Sequence, residues 1–279
     1  MEIGRYNKLC VTRIVDFGAY LSTAGQADGE VLLPARYITE PLHPGDELEV
    51  FVYKDSEDRP VAVTDRPLAT VGEFAFLRVA AVNKVGAFLD WGLPKDLLVP
   101  YSEQNARMKV GGVYPVYVYL DHETGRVAAS ARLNKYLDNL PPRYHTGSRV
   151  EALVLRHADR GWVCVVDNLF SGMIYDNELF CSLQPGQKVK ASVHRVRPDG
   201  KIDLTVGGTA RDRSHAVADA IEERLRVDGR LGVNERSDAG EIAAAFGCSK
   251  KDFKKAVGHL LKARKCSIND CGDIVFTQK

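Results

Sequence analysis

Phe17-Gly18-Ala19-Tyr20 is the first of three related stretches, which return as Val85-Gly86-Ala87-Phe88 and Arg160-Gly161-Trp162-Val163. Their glycines lie roughly 70 residues apart, a spacing about right for one small β-barrel and too long for a solenoid unit. A glycine between β-branched and aromatic neighbours is typical of a bulge or bend in a barrel strand. The aromatic side chains beside it are then expected on the open barrel face, where such folds stack nucleobases.

The same order of parts surrounds each motif. An apolar strand precedes it, an apolar run and a glycine turn lead into an alternating strand, and a polar turn leads into a last strand. Five strands per repeat is the count of an OB barrel. The sequence therefore predicts a mainly β, multi-domain chain with barrels over residues 1–67, 70–138 and 144–208, the third being degenerate.

After Gly208 the pattern becomes helical. Val217, Ile221 and Leu225 are spaced as the inner stripe of one helix. Asp238-x-x-Glu241 is typical of a capped helix start, and Ser249 is placed to cap a third helix. A closing hairpin over residues 266–277 completes the order of a winged helix, so we predict an α+β winged-helix domain over residues 210–279.

Composition narrows the class of protein. The chain has 279 residues and a formal net charge of +1, so no global positive field indicates nucleic acid. No stretch approaches the roughly 18 apolar residues of a membrane span, and the start lacks the pattern of an export signal. The six cysteines form no C-x-x-C pair and are expected to be reduced thiols. We expect a cytoplasmic protein with no membrane partner.

Each repeat resembles an S1-type RNA-binding domain, the OB-fold module named for a ribosomal protein. That family's signature is an F-G-A-F element, a G-L-V-H-I-S element and a closing R-I-x-L-S strand. Three such modules followed by a winged helix resemble the conserved virulence factor B (YitL-like) family of bacterial RNA-binding regulators. The resemblance covers essentially the whole chain and implies a post-transcriptional regulatory role.

The resemblance also implies RNA-binding residues. The stacking positions fall on Phe17 and Tyr20 in the first repeat, and on Val85 and Phe88 in the second, where one aromatic residue is lost. In the third repeat they fall on Arg160 and Val163, with Trp162 between them.

Two further signature positions carry over. The family's histidine falls on Pro34, Pro100 and Tyr175, and its basic residue before the last strand falls on Arg59, Arg126 and Lys201. The third repeat is expected either to bind RNA through Arg160, Trp162 and Tyr175 or to be structural.

The predicted third helix is basic. Residues 250–265 hold seven Lys or Arg and one acid. Four lysines are expected to meet phosphate oxygens and to make binding salt-dependent: Lys250, Lys251, Lys254 and Lys255. Base readout favours Arg, Asn and Gln, which are absent from the start of this helix, so sequence-specific DNA recognition is disfavoured.

We find no catalytic constellation: the sequence has no phosphate-binding loop, H-E-x-x-H or nucleophile elbow. We therefore predict a non-enzymatic monomer without cofactor or metal that binds single-stranded RNA, with the ribosome or other RNA-associated proteins as further partners. Two alternatives stay open. One is a winged-helix DNA-binding transcription regulator, and the other is a ribosome-associated protein-interaction scaffold.

Overall fold

Fifteen strands close into three barrels in the computed structural model. It describes residues 1–23, 29–138, 140, 142–176, 179, 182–206, 210–269 and 271–277, without the side chains of 210–213, 215 and 216. The chain divides into two compact units, Met1–Leu137 and Asp138–Lys279. The first unit contains two barrels, and the second contains the third barrel and a helical domain.

All three barrels share one topology, in which the third strand pairs in parallel with the fifth. The first consists of β1 (Arg5–Val15), β2 (Gly18–Ser22), β3 (Val31–Pro34), β4 (Glu47–Lys54) and β5 (Pro60–Val63). The second consists of β6 (Phe74–Val82), β7 (Gly86–Asp90), β8 (Leu97–Pro100), β9 (Val113–Leu120) and β10 (Val127–Ser130). The third consists of β11 (Arg149–Ala158), β12 (Gly161–Val166), β13 (Phe170–Tyr175), β14 (Lys188–Val196) and β15 (Ile202–Val206). The predicted fold class is confirmed.

The motif glycines are required by a close approach between strands. A Cβ on Gly18, Gly86 or Gly161 would lie 2.2 Å from a carbonyl oxygen on the next strand of its barrel. Any side chain there would push the second and third strands apart. The bulge does not lie at this glycine. The register shifts instead in the preceding strand, between Val11 and Arg13 in the first barrel. The other two barrels shift at the matching place.

The first two barrels share one hydrophobic core. Trp91, of which 2% is exposed, follows β7 in the second barrel. Its ring centroid lies 5.7 Å from that of Phe51 and 6.3 Å from that of Tyr53, both on β4 of the first barrel. Its indole N–H donates to the carbonyl of Lys95 at 2.7 Å. The sequence-predicted boundary near residue 67 therefore separates two barrels that are packed together.

The helical domain follows the predicted order of a winged helix. It contains α1 (Ala210–Asp228), α2 (Ala239–Phe246), α3 (Lys250–Lys262) and the hairpin β16 (Cys266–Ile268) and β17 (Ile274–Phe276). Asp238 and Glu241 form a capping box, and the Ser249 hydroxyl accepts from the Asp252 N–H, so both predicted caps are confirmed. The third barrel and this domain have separate cores. Within the described residues, no helix is long and apolar enough to cross a membrane.

Candidate nucleic-acid interface

A row of paired residues crosses the second, third and fifth strands of every barrel, and we call it the cross-strand row. It consists of Tyr20, Leu32 and Val61 in the first barrel, Phe88, Leu98 and Ala128 in the second, and Val163, Met173 and Asp203 in the third. Residues paired across neighbouring strands share one face of the sheet. The residues beside Tyr20, Ala19 and Leu21, are fully buried. The row in the first barrel therefore faces outward.

The first barrel presents an aromatic pair beside its row. Phe17 is 58% exposed, and its ring stands edge-on to Tyr20 with 6.4 Å between centroids. The Arg13 guanidinium lies 3.7 Å from the centroid of the Tyr20 ring, and its charge is paired with Glu30 at 3.1 Å. Guanidinium planes, like aromatic rings, stack on bases. Sequence reasoning missed Arg13, because it comes opposite Tyr20 only through a strand register that a bulge shifts.

The second barrel presents Phe88 at the wall of a cavity. The cavity has a volume of about 240 Å³ and is lined by aromatic, aliphatic and charged side chains that include Phe88, Leu98, Tyr119, Lys95 and Arg126. Val85, which replaces the other aromatic residue, is 56% exposed. Burial raises the pKa of Tyr119 to about 12, so its hydroxyl stays protonated and uncharged at neutral pH.

The third barrel replaces this apolar row with an ionic network. The Asp203 carboxylate, whose side chain is 3% exposed, accepts from Arg195 at 2.8 Å and from Arg197 at 2.6 Å. Burial works against ionisation of Asp203, but the hydrogen bonds from Arg197 and Arg195 outweigh it and lower the pKa. Arg197 also donates to the Tyr175 hydroxyl at 2.6 Å. Tyr175 is thereby held in a network of side chains, which sequence reasoning had not foreseen.

Trp162 and Arg160, the other two predicted RNA-binding residues in the strands of the third barrel, differ in exposure. Trp162 pairs with the fully buried Ile174, is half-buried against the barrel core and stands edge-on to His157 with 5.0 Å between ring centroids. His157 in turn contacts Asp176 at 2.9 Å. Arg160 is exposed. Trp162 thus occupies the register of a core position, and less of its ring is available for stacking than of Phe17.

The basic residue before the last strand is ion-paired in every barrel. Arg59 lies 2.8 Å from Asp55, Arg126 lies 2.5 Å from Asp58 of the first barrel, and Lys201 lies 3.3 Å from Asp199. The three basic side chains remain 47% to 65% exposed. Surface pairs of this kind contribute only about 0–1 kcal/mol, so turning a cation toward a phosphate costs little.

The lysines of α3 divide into two groups. Lys250 donates to the carbonyl of Ser237 at 2.7 Å and so ties the start of α3 to the loop before α2. Lys251, Lys254 and Lys255 are exposed, and among the residues that the structure describes none of them has a hydrogen bond or an ion pair. These three lysines are therefore better placed for phosphate than Lys250.

The described part of the chain contains no group of three or more His, Cys, Asp or Glu residues arranged to hold a metal ion. The chemistry available at the barrel rows and on α3 is stacking, apolar contact and charge pairing.

Comparison with known families agrees with this architecture. The S1 domain family matches residues 3–65 and 71–131, and the CvfB-like winged helix domain matches residues 218–272. Both are nucleic-acid-binding types of domain rather than catalytic ones. Fold and matches together define the class: a nucleic-acid-binding protein built from S1 barrels and a winged helix.

Two curated proteins match most of this chain. YitL of Bacillus subtilis is 27% identical over 277 residues, which is 95% of this chain and 91% of that protein. Conserved virulence factor B of Staphylococcus aureus is 24% identical over 251 residues, which is 86% of this chain and 82% of that protein. The chain is therefore similar over most of its length to these two proteins, and its helical domain matches the CvfB-like winged helix domain.

A solved structure from Streptococcus pneumoniae, a multidomain protein with nucleic acid binding domains, is 22% identical and covers 99% of this chain and 98% of its own, with a TM-score of 0.41.

Proposed function

We propose that this protein is a cytoplasmic, monomeric, non-enzymatic RNA-binding regulator that acts after transcription. Single-stranded RNA runs along the first two barrels, bases stack on Phe17, Tyr20 and Phe88, and the α3 lysines hold the phosphate backbone. The observation that carries the proposal is the repeated cross-strand row with an outward aromatic residue at its first position in both S1-matched barrels. Stacking needs no base readout, since every base has a π-face.

The barrels contribute unequally in this proposal. Phe17, Tyr20 and Arg13 give the first barrel the largest stacking surface. The second barrel adds Phe88, with Arg126 and Lys95 beside it. In the third barrel, Arg160, Trp162, Tyr175 and Lys201 make weaker contacts, because Tyr175 is engaged by Arg197 and Trp162 lies against the core. Several weak sites on one chain raise the effective concentration of each next contact, so avidity replaces a single strong site.

A fluorescence anisotropy titration of a labelled single-stranded RNA of about 20 nucleotides, at two salt concentrations and beside duplex DNA of equal length, tests the proposal. We expect salt-sensitive RNA binding that is tighter than duplex binding. The combined variant Phe17→Ala, Tyr20→Ala and Phe88→Ala should weaken RNA binding by at least about tenfold, since each stacked base contributes about 1–3 kcal/mol.

The matched control is Tyr6→Ala. Tyr6 is a similarly exposed aromatic residue, but it lies on the part of β1 that pairs with β4, away from the cross-strand row. It should leave RNA affinity unchanged. Unaltered RNA affinity in the folded triple variant would refute stacking on the barrels. Preference for the duplex would support the transcription-regulator alternative, and absence of nucleic-acid binding would support the scaffold alternative.

A further inference from the structure

Gly258 lies in the interior of α3, on the side that faces away from the domain core. The buried residues of this helix include Phe253, Ala256 and Leu260. At 3.6 residues per turn, Gly258 falls opposite them, one turn from Lys254, Lys255 and Lys262. A Cβ built on Gly258 meets nothing within 4 Å. The glycine, itself partly exposed, therefore lies in the middle of the helix face opposite the core.

Nothing in the described fold requires glycine at this position. Its backbone is helical, and Gly258 is not among the residues with positive φ. Gly18 contrasts with it, because a Cβ there would lie 2.2 Å from the Leu33 carbonyl oxygen. A glycine inside a helix destabilises it relative to alanine, since glycine loses more backbone freedom on folding. The open space at Gly258 leaves room for a ligand to approach the helix backbone closely.

The charges around Gly258 indicate what that is. Lys251, Lys254, Lys255 and Lys262 are exposed, and within the described ranges none has a hydrogen bond or an ion pair. The acid of this helix, Asp252, is buried and hydrogen-bonded to the Ser249 hydroxyl. No negative side chain of α3 therefore offsets the lysines. A cationic face with a bare backbone at its centre complements a polyanion whose charges are evenly spaced along a strand.

We propose that Gly258 is the point of closest approach between α3 and the sugar-phosphate backbone of bound RNA, with the four lysines contacting phosphates on either side. This inference rests on the proposed function and adds to it a residue with no charge and no side chain. A glycine allows a ligand to approach the protein backbone closely, and adding a Cβ displaces the strand from the surrounding lysines.

The test compares Gly258→Ala and Gly258→Gln with Gly232→Ala in the full-length chain. Gly232 lies between α1 and α2, lacks positive φ and also has nothing within 4 Å of an added Cβ, so it is a sterically matched control. Gly258→Ala should raise the melting temperature of the winged-helix domain by about 3 °C, because alanine is the better helix former. The same substitution should weaken RNA binding by about fivefold, and Gly258→Gln should weaken it further.

Stability and affinity thus change in opposite directions, which a purely structural role for Gly258 does not produce. Gly232→Ala should leave RNA affinity unchanged. RNA affinity that is unaltered in folded Gly258→Gln, while Lys254→Gln and Lys255→Gln weaken it, would overturn the close approach and leave the proposed function intact. Absence of RNA binding by the wild-type chain, measured first, would overturn both.

Discussion

Asp203 shows how one residue changes the chemistry of a barrel face. Val61 and Ala128 occupy the corresponding positions of the first two barrels, where the cross-strand row is apolar. In the third barrel the carboxylate is buried and held by Arg195 and Arg197. This face is therefore specialised for internal ionic contacts rather than for an apolar stacking surface.

Asp203→Ala should lower the free energy of unfolding of the third barrel by about 2 kcal/mol, because Arg197 loses its partner in a partly buried site. This loss in the free energy of unfolding is smaller than that for a fully buried ion pair, because the Arg195 side chain is 65% exposed. Urea unfolding monitored by circular dichroism measures the change. Asp199→Ala, which removes an exposed pair with Lys201 and a hydrogen bond from the Lys201 N–H, is the control and should lower stability clearly less. Equal losses in the two variants would contradict the importance of the buried network.

The same carboxyl group predicts a pH dependence. The folded pKa of Asp203 is lowered, so its ion pairs stabilise the folded state above the unfolded pKa of about 3.9 and lose that contribution as the pH falls through the folded pKa. The wild-type third barrel should therefore lose stability below about pH 4, and Asp203→Asn should lose less of its remaining stability over the same range. Unfolding midpoints at pH 6 and pH 3 for both proteins test this. A parallel acid response would contradict it.

At the scale of the element, the lysines of α3 have two roles: Lys250 has a structural contact, and the others face solvent. Each lysine that contacts a phosphate of single-stranded RNA adds about 0.7 to the slope of log affinity against log salt. Lys254→Gln together with Lys255→Gln should reduce the magnitude of that slope by about 1.4 in anisotropy titrations over a range of salt concentrations. Arg224→Gln on α1, whose charge is paired with Asp228 at 2.6 Å, is the control. A slope that is the same in the double variant and the wild type would place the phosphate contacts elsewhere.

Helix starts and strand order were predictable because local signals determine them. The Asp238 capping box, the Ser249 cap and the glycine motif each depend on neighbours within a few residues. The networks that shape the interface depend on long-range contacts. Arg126 pairs with Asp58 across two barrels, and Arg13 covers Tyr20 through a strand register that a bulge shifts. Residue spacing in the sequence predicts neither of these contacts.

At the scale of the whole molecule, residues 1–137 should unfold as one cooperative unit, because the first two barrels share a core. Trp91→Ala should lower the free energy of unfolding by about 3–5 kcal/mol, since a buried aromatic side chain is removed between them. Native-state hydrogen exchange tests whether protection falls in both β4 and β7. A loss confined to the second barrel would contradict a single unit. Phe170→Ala, against the core of the third barrel, is the control and should leave protection in residues 1–137 unchanged.

The shared core limits how the domains of this chain can be rearranged during evolution. A duplicated module that keeps its own core can be lost, exchanged or repeated by recombination without harming its neighbour. The first two barrels no longer have that freedom, because a break near residue 67 would expose Trp91 on one side and Phe51 and Tyr53 on the other. Selection should therefore keep them as an inseparable pair, while the third barrel and the winged helix, with separate cores, remain free to diverge one at a time.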